Sequence, residues 1–385
     1  MYNQKQIYRE KTVFVTGHTG FKGSWLCAWL SLLGAKVIGY SKDIPTTPAH
    51  FEFLKDNLCS NVTSIIGDVL DREKLRNSLV QFRPEIIFHL AAQPLVQYSY
   101  QNPVETYETN VVGTLNILEA IRVNQTLNDC VKAIVNVTTD KCYENREWVW
   151  GYRENDPLGG YDPYSASKAA SEIVTASFRN SFFNLNNYKK THNTLIATAR
   201  AGNVIGGGDW AKDRLIPDIA RAVSRGEKVI IRNPMSTRPW QHVLESLNGY
   251  LLLGEKLLIG KSEFASAWNF GPNDNGAMIT VEEIVKIVKQ QWDSTEYIVE
   301  KDNSNNSNRS SGSMSGNDIA HEAMLLKLDS SKAITSLKWK NNWSYEQAIS
   351  KTIEWYKNFY LERKINTFDD LQAFLMASLT KYGDK

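Results

Sequence analysis

The residues "TVFVTGHTGFKGSWLCAWLSLLG" at positions 12–34 decide the fold class. The apolar run TVFVT is typical of a buried strand, and the spacing in GSWLCAWLSLL predicts a helix that ends at Gly34. Between them, Gly17, Gly20 and Gly23 follow the pattern GxxGxxG. Glycines at such a turn let the backbone approach a pyrophosphate at the N-terminus of a helix. A position between a first strand and a first helix favours a dinucleotide-binding turn over an ordinary structural turn.

Strand and helix patterns alternate from this turn to about residue 200. The later apolar runs are KVIGY, SIIGD, EIIFHLAA, VKAIVNVTT and TLIATAR. Continuous apolar strands separated by helices predict a parallel sheet that is covered on both faces. We therefore expect an α/β fold, a Rossmann-like doubly wound parallel sheet with a smaller C-terminal α/β domain for the substrate. Ligands of such sheets bind beyond the carboxyl ends of the strands.

The composition argues against several classes of protein. The chain has 385 residues, 42% of them hydrophobic, and a net charge of +2, which indicates neither a nucleic-acid-binding nor a membrane-surface protein. Its four cysteines show no CxxC or other metal-ligand spacing, so we expect no metal site. We find no signal peptide and no run of about 18 apolar residues, and we therefore expect a cytoplasmic protein.

The residues after the second and third strands bear on the choice of cofactor. Ser41 stands where a carboxylate would hold the ribose hydroxyls, and Lys42 beside it would tolerate a 2′-phosphate. We expect NAD, with NADP not excluded. Asp68 is predicted either to contact the adenine amino group or to cap the next helix. His18, inside the glycine turn, either bonds to the pyrophosphate or hinders it.

A tyrosine and a lysine on the helix after Pro163 suggest redox chemistry. Tyr164 and Lys168 are four residues apart and so share a face. A nearby ammonium favours ionisation of a phenol, whose ordinary pKa is ~10. The phenolate would take a proton from a substrate hydroxyl while hydride leaves the same carbon, and Thr139 would bond to that hydroxyl. The alternative is a surface pair, which the preceding nucleotide turn disfavours.

Several motifs in a consistent order give the chain a family resemblance. The motifs GxxGxxG, HLAAQ, TNVVGTLNILEA, TTD, YSASK and RAGNVIG resemble those of the extended short-chain dehydrogenase/reductases. Two more specific stretches, DKCYENREWVW and GGGDWAKDRLIPD, resemble the nucleotide-sugar 4,6-dehydratases, in particular the branch that acts on CDP-glucose. The resemblance covers nearly the whole chain except an Asn/Ser-rich stretch.

The resemblance implies a lyase that uses NAD transiently and feeds deoxysugar synthesis for lipopolysaccharide O-antigen. Tyr164 would remove the 4-hydroxyl proton of glucose, after which water is eliminated across carbons 5 and 6 and hydride returns to carbon 6. Asp140 would be the acid and Lys141 the base of the elimination. The related dTDP-glucose enzymes carry Asp-Glu here, and the ordinary lysine pKa of ~10.4 opposes a basic role. The alternative is that Lys141 only pairs with Asp140 or a substrate oxygen.

The motifs and the resemblance also imply the binding residues and the domains. The expected cofactor residues are Gly17, His18, Gly20, Phe21, Gly23, Ser41, Asp68, Val69, Ala91, Ala92, Gln93, Tyr164 and Lys168. The expected substrate residues are Asn203, Arg214, Leu215, Ile216, Arg238 and His321. Residues 1–200, with 237–272 returning to them, are expected to bind NAD, and residues 201–385 mainly the nucleotide sugar. Residues 301–317 are expected to form a flexible loop, and the protein a homodimer or homotetramer.

Two rival functions remain at this level. A 4-epimerase or simple dehydrogenase of another sugar nucleotide would share the cofactor turn, but neither needs the acid that Asp140 would supply. A non-catalytic NAD-binding regulator is disfavoured by the complete set of Thr139, Tyr164 and Lys168.

Overall fold

The computed structural model describes residues 2–55, 57–58, 61–212, 214–231, 234–272, 279–299 and 325–382. The main strands are β1 Thr12–Thr16, β2 Lys36–Ser41, β3 Val62–Ile66, β4 Ile86–His89, β5 Ala133–Val137 and β6 Leu195–Ala201. Shorter strands follow at β7 Val204–Ile205, β8 Val229–Ile231, β9 Thr237–Arg238, β10 Gln241–His242, β11 Ala267–Phe270, β12 Ile279–Thr280 and β13 Tyr297–Val299. Within these ranges, seven strands form one sheet in the order β11-β6-β5-β4-β1-β2-β3.

Every neighbouring pair in this sheet is parallel. The strand order reverses between β1 and β4, so the crevice at the carboxyl ends of these two strands is the expected ligand site. The predicted doubly wound α/β fold is therefore confirmed. The strand β11, which closes one edge, was not predicted from the sequence.

Helices cover the sheet on both faces. They are α1 Tyr2–Tyr8, α2 Phe21–Leu32, α3 His50–Leu54, α4 Arg72–Phe82, α5 Val96–Gln101, α6 Pro103–Tyr107, α7 Gly113–Val123, α8 Gln125–Cys130, α9 Pro163–Ser181, α10 Leu215–Ser224, α11 Val243–Leu258, α12 Val281–Gln291, α13 Tyr345–Glu362 and α14 Thr367–Tyr382. None of the helices in the described ranges is long and apolar enough to cross a membrane.

The core lies in two layers because successive strand residues face opposite sides of the sheet. In β1, Val13 and Val15 pack in the larger cluster with Trp25 of α2. Phe14 packs in the other cluster, with Leu75 of α4. All five side chains are completely buried, so β1 lies at the centre of the molecule and fixes where the glycine turn begins.

A π-helical turn at Glu108–Val112 separates α6 from α7. Asn110 in this turn accepts a hydrogen bond from Gln93 N at 2.9 Å and donates to Ser167 Oγ of α9 at 2.8 Å. A π-helical turn shifts side chains relative to an α-helix and is frequent at functional sites. Here it ties the loop after β4 to the helix that carries Tyr164.

The expected domain boundaries stay a prediction. Residues 237–272 contain α11 and β11, and β11 pairs with β6 in the main sheet. The Asn/Ser-rich stretch at 301–317 and His321 lie outside the described residues.

Candidate active site

The glycine turn between β1 and α2 forms a cradle that larger residues would fill. Gly17 has a φ of +73°, and a Cβ there would lie 2.7 Å from the backbone nitrogen of Ala91. A Cβ at Gly23 would lie 2.1 Å from the carbonyl oxygen of Gly17. Gly20 is the N-cap residue of α2 and offers no side chain to the N–H groups of the first turn. Those N–H groups are therefore left to bind an anion such as a pyrophosphate.

His18 braces this turn against the neighbouring strands. Its ring Nδ1 lies 2.8 Å from Ser41 Oγ and its Nε2 lies 2.7 Å from Ser64 Oγ. Burial lowers the pKa of His18 to about 4, so the ring is neutral near pH 7. The ring would reach a pyrophosphate only by giving up one of these hydrogen bonds. A direct contact between His18 and the cofactor stays a prediction.

The edge beyond β2 and β3 carries one lysine and two carboxylates. Lys42 Nζ lies 3.6 Å from Asp68 Oδ2 and 3.8 Å from Glu105 Oε1. Asp68 also accepts a hydrogen bond from Leu70 N at 2.9 Å. Asp71, rather than Asp68, is the N-cap residue of α4. Asp68 therefore does not serve as that helix cap, and its contact with adenine stays a prediction.

The other expected cofactor residues lie at the ends of β3 and β4. Val69 is buried, whereas Ala91 and Ala92 are partly exposed. Gln93 Nε2 donates to Thr106 Oγ1 at 2.8 Å, and its Oε1 accepts from Leu95 N at 2.6 Å. The Gln93 amide is thus engaged within the protein and shapes the loop rather than pointing freely into the cleft.

Tyr164 and Lys168 lie at the start of α9 and face the end of β5. The helix begins here because Asp162 accepts a hydrogen bond from Ser165 N and Pro163 occupies the first turn. Lys168 Nζ donates to the carbonyl oxygen of Val137 at 3.2 Å. This places the ammonium at the carboxyl end of the strand that leads into Thr139.

Burial shifts the pKa values of Tyr164 and Lys168 in opposite directions. It raises the pKa of Tyr164 to about 12, although a hydrogen bond with Thr139 opposes the rise. It lowers the pKa of Lys168 to about 8, while the charge of Glu172 opposes the fall. At neutral pH the phenol is therefore protonated and the lysine is mostly charged. Tyr164 can therefore act as a base only after the phenol has lost its proton, and nearby positive charges favour that ionisation.

Thr139, Asp140 and Lys141 follow β5 directly. A 3₁₀ turn begins at Asp140, and Thr139 Oγ1 donates to Asp140 Oδ1 at 2.9 Å. Burial raises the pKa of Asp140, and the charge of Lys141 is the largest opposing influence. A raised pKa suits a carboxylic acid that donates a proton. Lys141 is partly exposed beside it.

Only part of the expected substrate set can be placed. Gly202 lies beside Asp140, because a Cβ at Gly202 would be 3.2 Å from Asp140 Oδ2, and Asn203 follows it. Arg214 precedes α10, and its Nη1 lies 2.9 Å from Asp209 Oδ2.

Arg214 also faces the catalytic groups. Its charge lowers the pKa of Tyr164, although burial has the larger, opposite effect. Leu215 and Ile216 form the first turn of α10. The backbone of Arg238 pairs with Ile279.

Lys22, which lies in the glycine motif itself, was not among the predicted site residues. Its Nζ donates to Tyr250 OH of α11 at 3.3 Å. Burial lowers the pKa of Lys22 to about 7, and the charges of Arg214 and Lys168 act in the same direction. The feature of the sequence that could have indicated Lys22 is its charge, at the start of an otherwise apolar helix. Tyr250 belongs to a helix about 230 residues away in sequence, which no local pattern connects to the turn.

Comparison with known proteins defines the family. The family model described as GDP-mannose 4,6 dehydratase matches residues 14–352. The chain is 51% identical to the CDP-glucose 4,6-dehydratase of Salmonella typhimurium strain LT2, over 92% of this chain and 92% of that protein. It is 25% identical to a dTDP-glucose 4,6-dehydratase of Xanthomonas campestris, over 90% and 93% of the two chains.

Solved structures share the fold at lower identity. A dTDP-glucose 4,6-dehydratase from Bacillus anthracis, in complex with NAD, is 20% identical with a TM-score of 0.68, covering 90% of this chain and 97% of that one. A UDP-glucose 4-epimerase from Thermotoga maritima, with UDP-glucose, is 22% identical with a TM-score of 0.71, covering 90% and 99%. At such identities the likeness concerns the fold, which dehydratases and epimerases have in common.

The fold does not distinguish a dehydratase from an epimerase, but the family match and the relative at 51% identity do. The resemblance inferred from the motifs is confirmed, and so is the prediction of an enzyme. The chain belongs to the GDP-mannose 4,6-dehydratase family of extended short-chain dehydrogenase/reductases and is a nucleotide-sugar 4,6-dehydratase.

Proposed function

We propose that the protein converts CDP-glucose to CDP-4-keto-6-deoxyglucose with NAD as a transient hydride acceptor. The observation that carries the proposal is the 51% identity to a CDP-glucose 4,6-dehydratase over 92% of both chains. The Asp140-Lys141 pair supports the same branch, since the motifs of that branch contain it. The product class would serve deoxysugar synthesis for a surface polysaccharide, in the cytoplasm and in a homo-oligomer.

The residues of the turn fit a dinucleotide. The cradle made by Gly17 and Gly23 has room for a pyrophosphate only because neither residue has a Cβ. Two carboxylates, Asp68 and Glu105, flank Lys42 and would repel a 2′-phosphate, which favours NAD over NADP. Bound NAD would supply a site that accepts hydride from carbon 4 and returns it to carbon 6.

In the first step the chain oxidises carbon 4 of the glucose unit. Tyr164 first loses its own proton to solvent, and the phenolate then takes the hydroxyl proton as hydride leaves, while Thr139 holds the same oxygen. Lys168, mostly charged at neutral pH and held at the end of β5, stabilises the phenolate before it takes the proton. Arg214 adds a second positive charge near the phenol.

In the second step water leaves across carbons 5 and 6. The new ketone acidifies the proton on carbon 5, which Lys141 would remove as the neutral amine, after releasing its own proton to solvent. Asp140 donates a proton to the departing hydroxyl of carbon 6, and its burial keeps the acid form available. The two groups adjoin in one 3₁₀ turn, so a single backbone segment presents both the acid and the base.

We expect the substrate set to divide between sugar and diphosphate. Asn203 and Arg214 would meet the sugar nucleotide near the catalytic groups, with Leu215 and Ile216 lining the same wall. Arg238 would anchor the diphosphate, because a guanidinium matches phosphate geometry. His321 would close over the nucleotide.

A panel of nucleotide sugars tests the proposal. CDP-, dTDP-, GDP- and UDP-glucose are each incubated with the protein and NAD, and loss of water is followed by mass spectrometry. We expect the highest kcat/KM with CDP-glucose, by at least about tenfold, or ~1.4 kcal/mol. A preference for another base would contradict the substrate assignment alone. Loss of water from none of them would contradict the reaction.

A further inference from the structure

One face of α9 carries a third ionisable residue, Glu172, one turn beyond the catalytic pair. Tyr164, Lys168 and Glu172 are spaced four residues apart and therefore line up along the helix. Glu172 is 3% exposed. A carboxylate at this depth is costly unless it is paired and hydrogen-bonded. The mechanism above gives it no role.

The two carboxylate oxygens of Glu172 accept hydrogen bonds from the residue that follows β5 and from two residues of β6. Oε1 accepts a hydrogen bond from Thr138 Oγ1 at 2.5 Å. Oε2 accepts from Thr198 Oγ1 at 2.7 Å and from Arg200 Nη2 at 2.8 Å. Thr138 directly precedes Thr139, so the carboxylate holds the beginning of the catalytic segment.

Arg200 extends the network to the other end of that segment. Its Nη1 donates to Tyr143 OH at 2.6 Å and to the carbonyl oxygen of Glu154 at 3.1 Å. Tyr143 OH in turn donates to Asn269 Oδ1 of β11 at 2.8 Å. The Glu172–Arg200 ion pair thus fixes both ends of residues 138–143, which contain Thr139, Asp140 and Lys141.

The same carboxylate acts on Lys168 through its charge. Burial lowers the pKa of Lys168 to about 8, and Glu172 is the largest influence in the other direction. The titratable and charged groups whose pKa values record an interaction with Lys168 or Glu172 are Lys22, His89, Cys142, Arg179 and Arg200. Burial keeps His89 neutral by lowering its pKa to about 3, and it raises the pKa of Cys142. Glu172 is therefore the negative charge that supports the Lys168 ammonium.

We propose that Glu172 is a positioning residue of the dehydration: with Arg200 it holds the catalytic segment 138–143, and it supplies the buried negative charge that faces Lys168. The inference rests on the proposed function, because it assigns Lys168 a role only as the ammonium beside Tyr164. It predicts that kcat/KM falls at alkaline pH as Lys168 loses its proton. Removing the Glu172 charge moves this fall to lower pH.

The test compares pH profiles of kcat/KM for NAD-loaded variants. Glu172→Gln keeps the size of the side chain and removes the charge, and we expect its alkaline limb to lie about one pH unit below that of the wild type. Thr198→Val is the matched control: it removes one hydrogen bond to the same carboxylate but keeps the charge. We expect Thr198→Val to lower the Tm and leave the alkaline limb unchanged.

A second variant is needed because Glu172→Gln leaves the buried Arg200 without its ion-pair partner, which could prevent folding. Glu172→Asp retains the charge, and we expect it to keep the wild-type alkaline limb with a reduced kcat. An unshifted limb in folded Glu172→Gln, or an equal shift in Thr198→Val, would overturn the inference. If Glu172→Gln does not fold, a shifted limb in Glu172→Asp would overturn it. Wild-type protein that fails to dehydrate CDP-glucose would instead contradict the proposed function.

Discussion

Tyr164→Phe is expected to fold and bind NAD while its turnover of the nucleotide sugar falls by about three orders of magnitude. Proton transfer by a positioned side chain contributes ~10²- to 10⁴-fold, and phenylalanine cannot accept a proton. The packing should survive, since the substitution removes one oxygen from a buried ring. The backbone N–H of Tyr164, which donates to Ser99 Oγ at 3.1 Å, is unaffected.

The measurement is kcat together with NAD affinity and circular dichroism. Tyr161→Phe is the matched control, because Tyr161 precedes the same helix and is 79% exposed. We expect that variant to keep near-normal turnover. Turnover of Tyr164→Phe within about tenfold of the wild type would remove Tyr164 from the catalytic role.

Burial explains why this tyrosine needs its partners. With a pKa raised to about 12, Tyr164 is protonated in the resting protein at neutral pH. A free phenolate at this site would cost several kcal/mol at pH 7, at ~1.36 kcal/mol per pKa unit. Lys168 and the positive ring of the oxidised cofactor reduce that cost. The small ionised fraction of Tyr164 therefore acts as the base, and it takes the substrate proton as hydride leaves carbon 4.

Lys141→Met is expected to separate the two chemical steps. Oxidation at carbon 4 depends on Tyr164 and its partners, so reduced nicotinamide should accumulate up to the enzyme concentration. Removal of the carbon 5 proton should stop, because methionine has a similar length but no basic nitrogen. The measurement combines single-turnover absorbance with exchange of the carbon 5 proton in heavy water.

Lys141→Arg distinguishes the two roles that the sequence leaves open for this residue. A guanidinium keeps the positive charge but does not act as a base, because its pKa stays above ~12. If Lys141 is the base, the arginine variant fails in the elimination as the methionine variant does. If Lys141 only pairs with Asp140 or a substrate oxygen, arginine restores the reaction. Elimination at an ordinary rate in either variant would contradict the basic role.

Local patterns were sufficient for the first six strands of the sheet. Apolar runs such as TVFVT and TLIATAR are almost entirely buried, as continuous apolar strands of a covered parallel sheet are expected to be. The strand β11 was not predicted because it has only four residues and pairs with β6, which lies about 70 positions earlier in the sequence. The helix α11 is buried almost all round, so its apolar residues mark no single face.

Part of the site could likewise be predicted from local sequence patterns, whereas the rest depends on contacts between distant residues. Tyr164 and Lys168 could be found because their spacing on one helix carries the chemistry. The Glu172–Arg200 ion pair and the contact of Lys22 with Tyr250 join residues 28 and 228 positions apart, so they depend on the packing of the sheet. His18 was recognised as unusual, but its bonds to Ser41 and Ser64 require the register of β2 and β3.

The fate of a deuterium at carbon 4 of the glucose unit tests the central claim most directly. CDP-glucose carrying this label is converted by the wild-type protein with NAD in ordinary water, and the product is analysed by NMR. The account predicts that the label appears at carbon 6 of the same molecule, because oxidation, elimination and reduction occur without release of the intermediate. A label that remains at carbon 4, or that leaves with reduced nicotinamide in proportion to product, would contradict a 4,6-dehydratase.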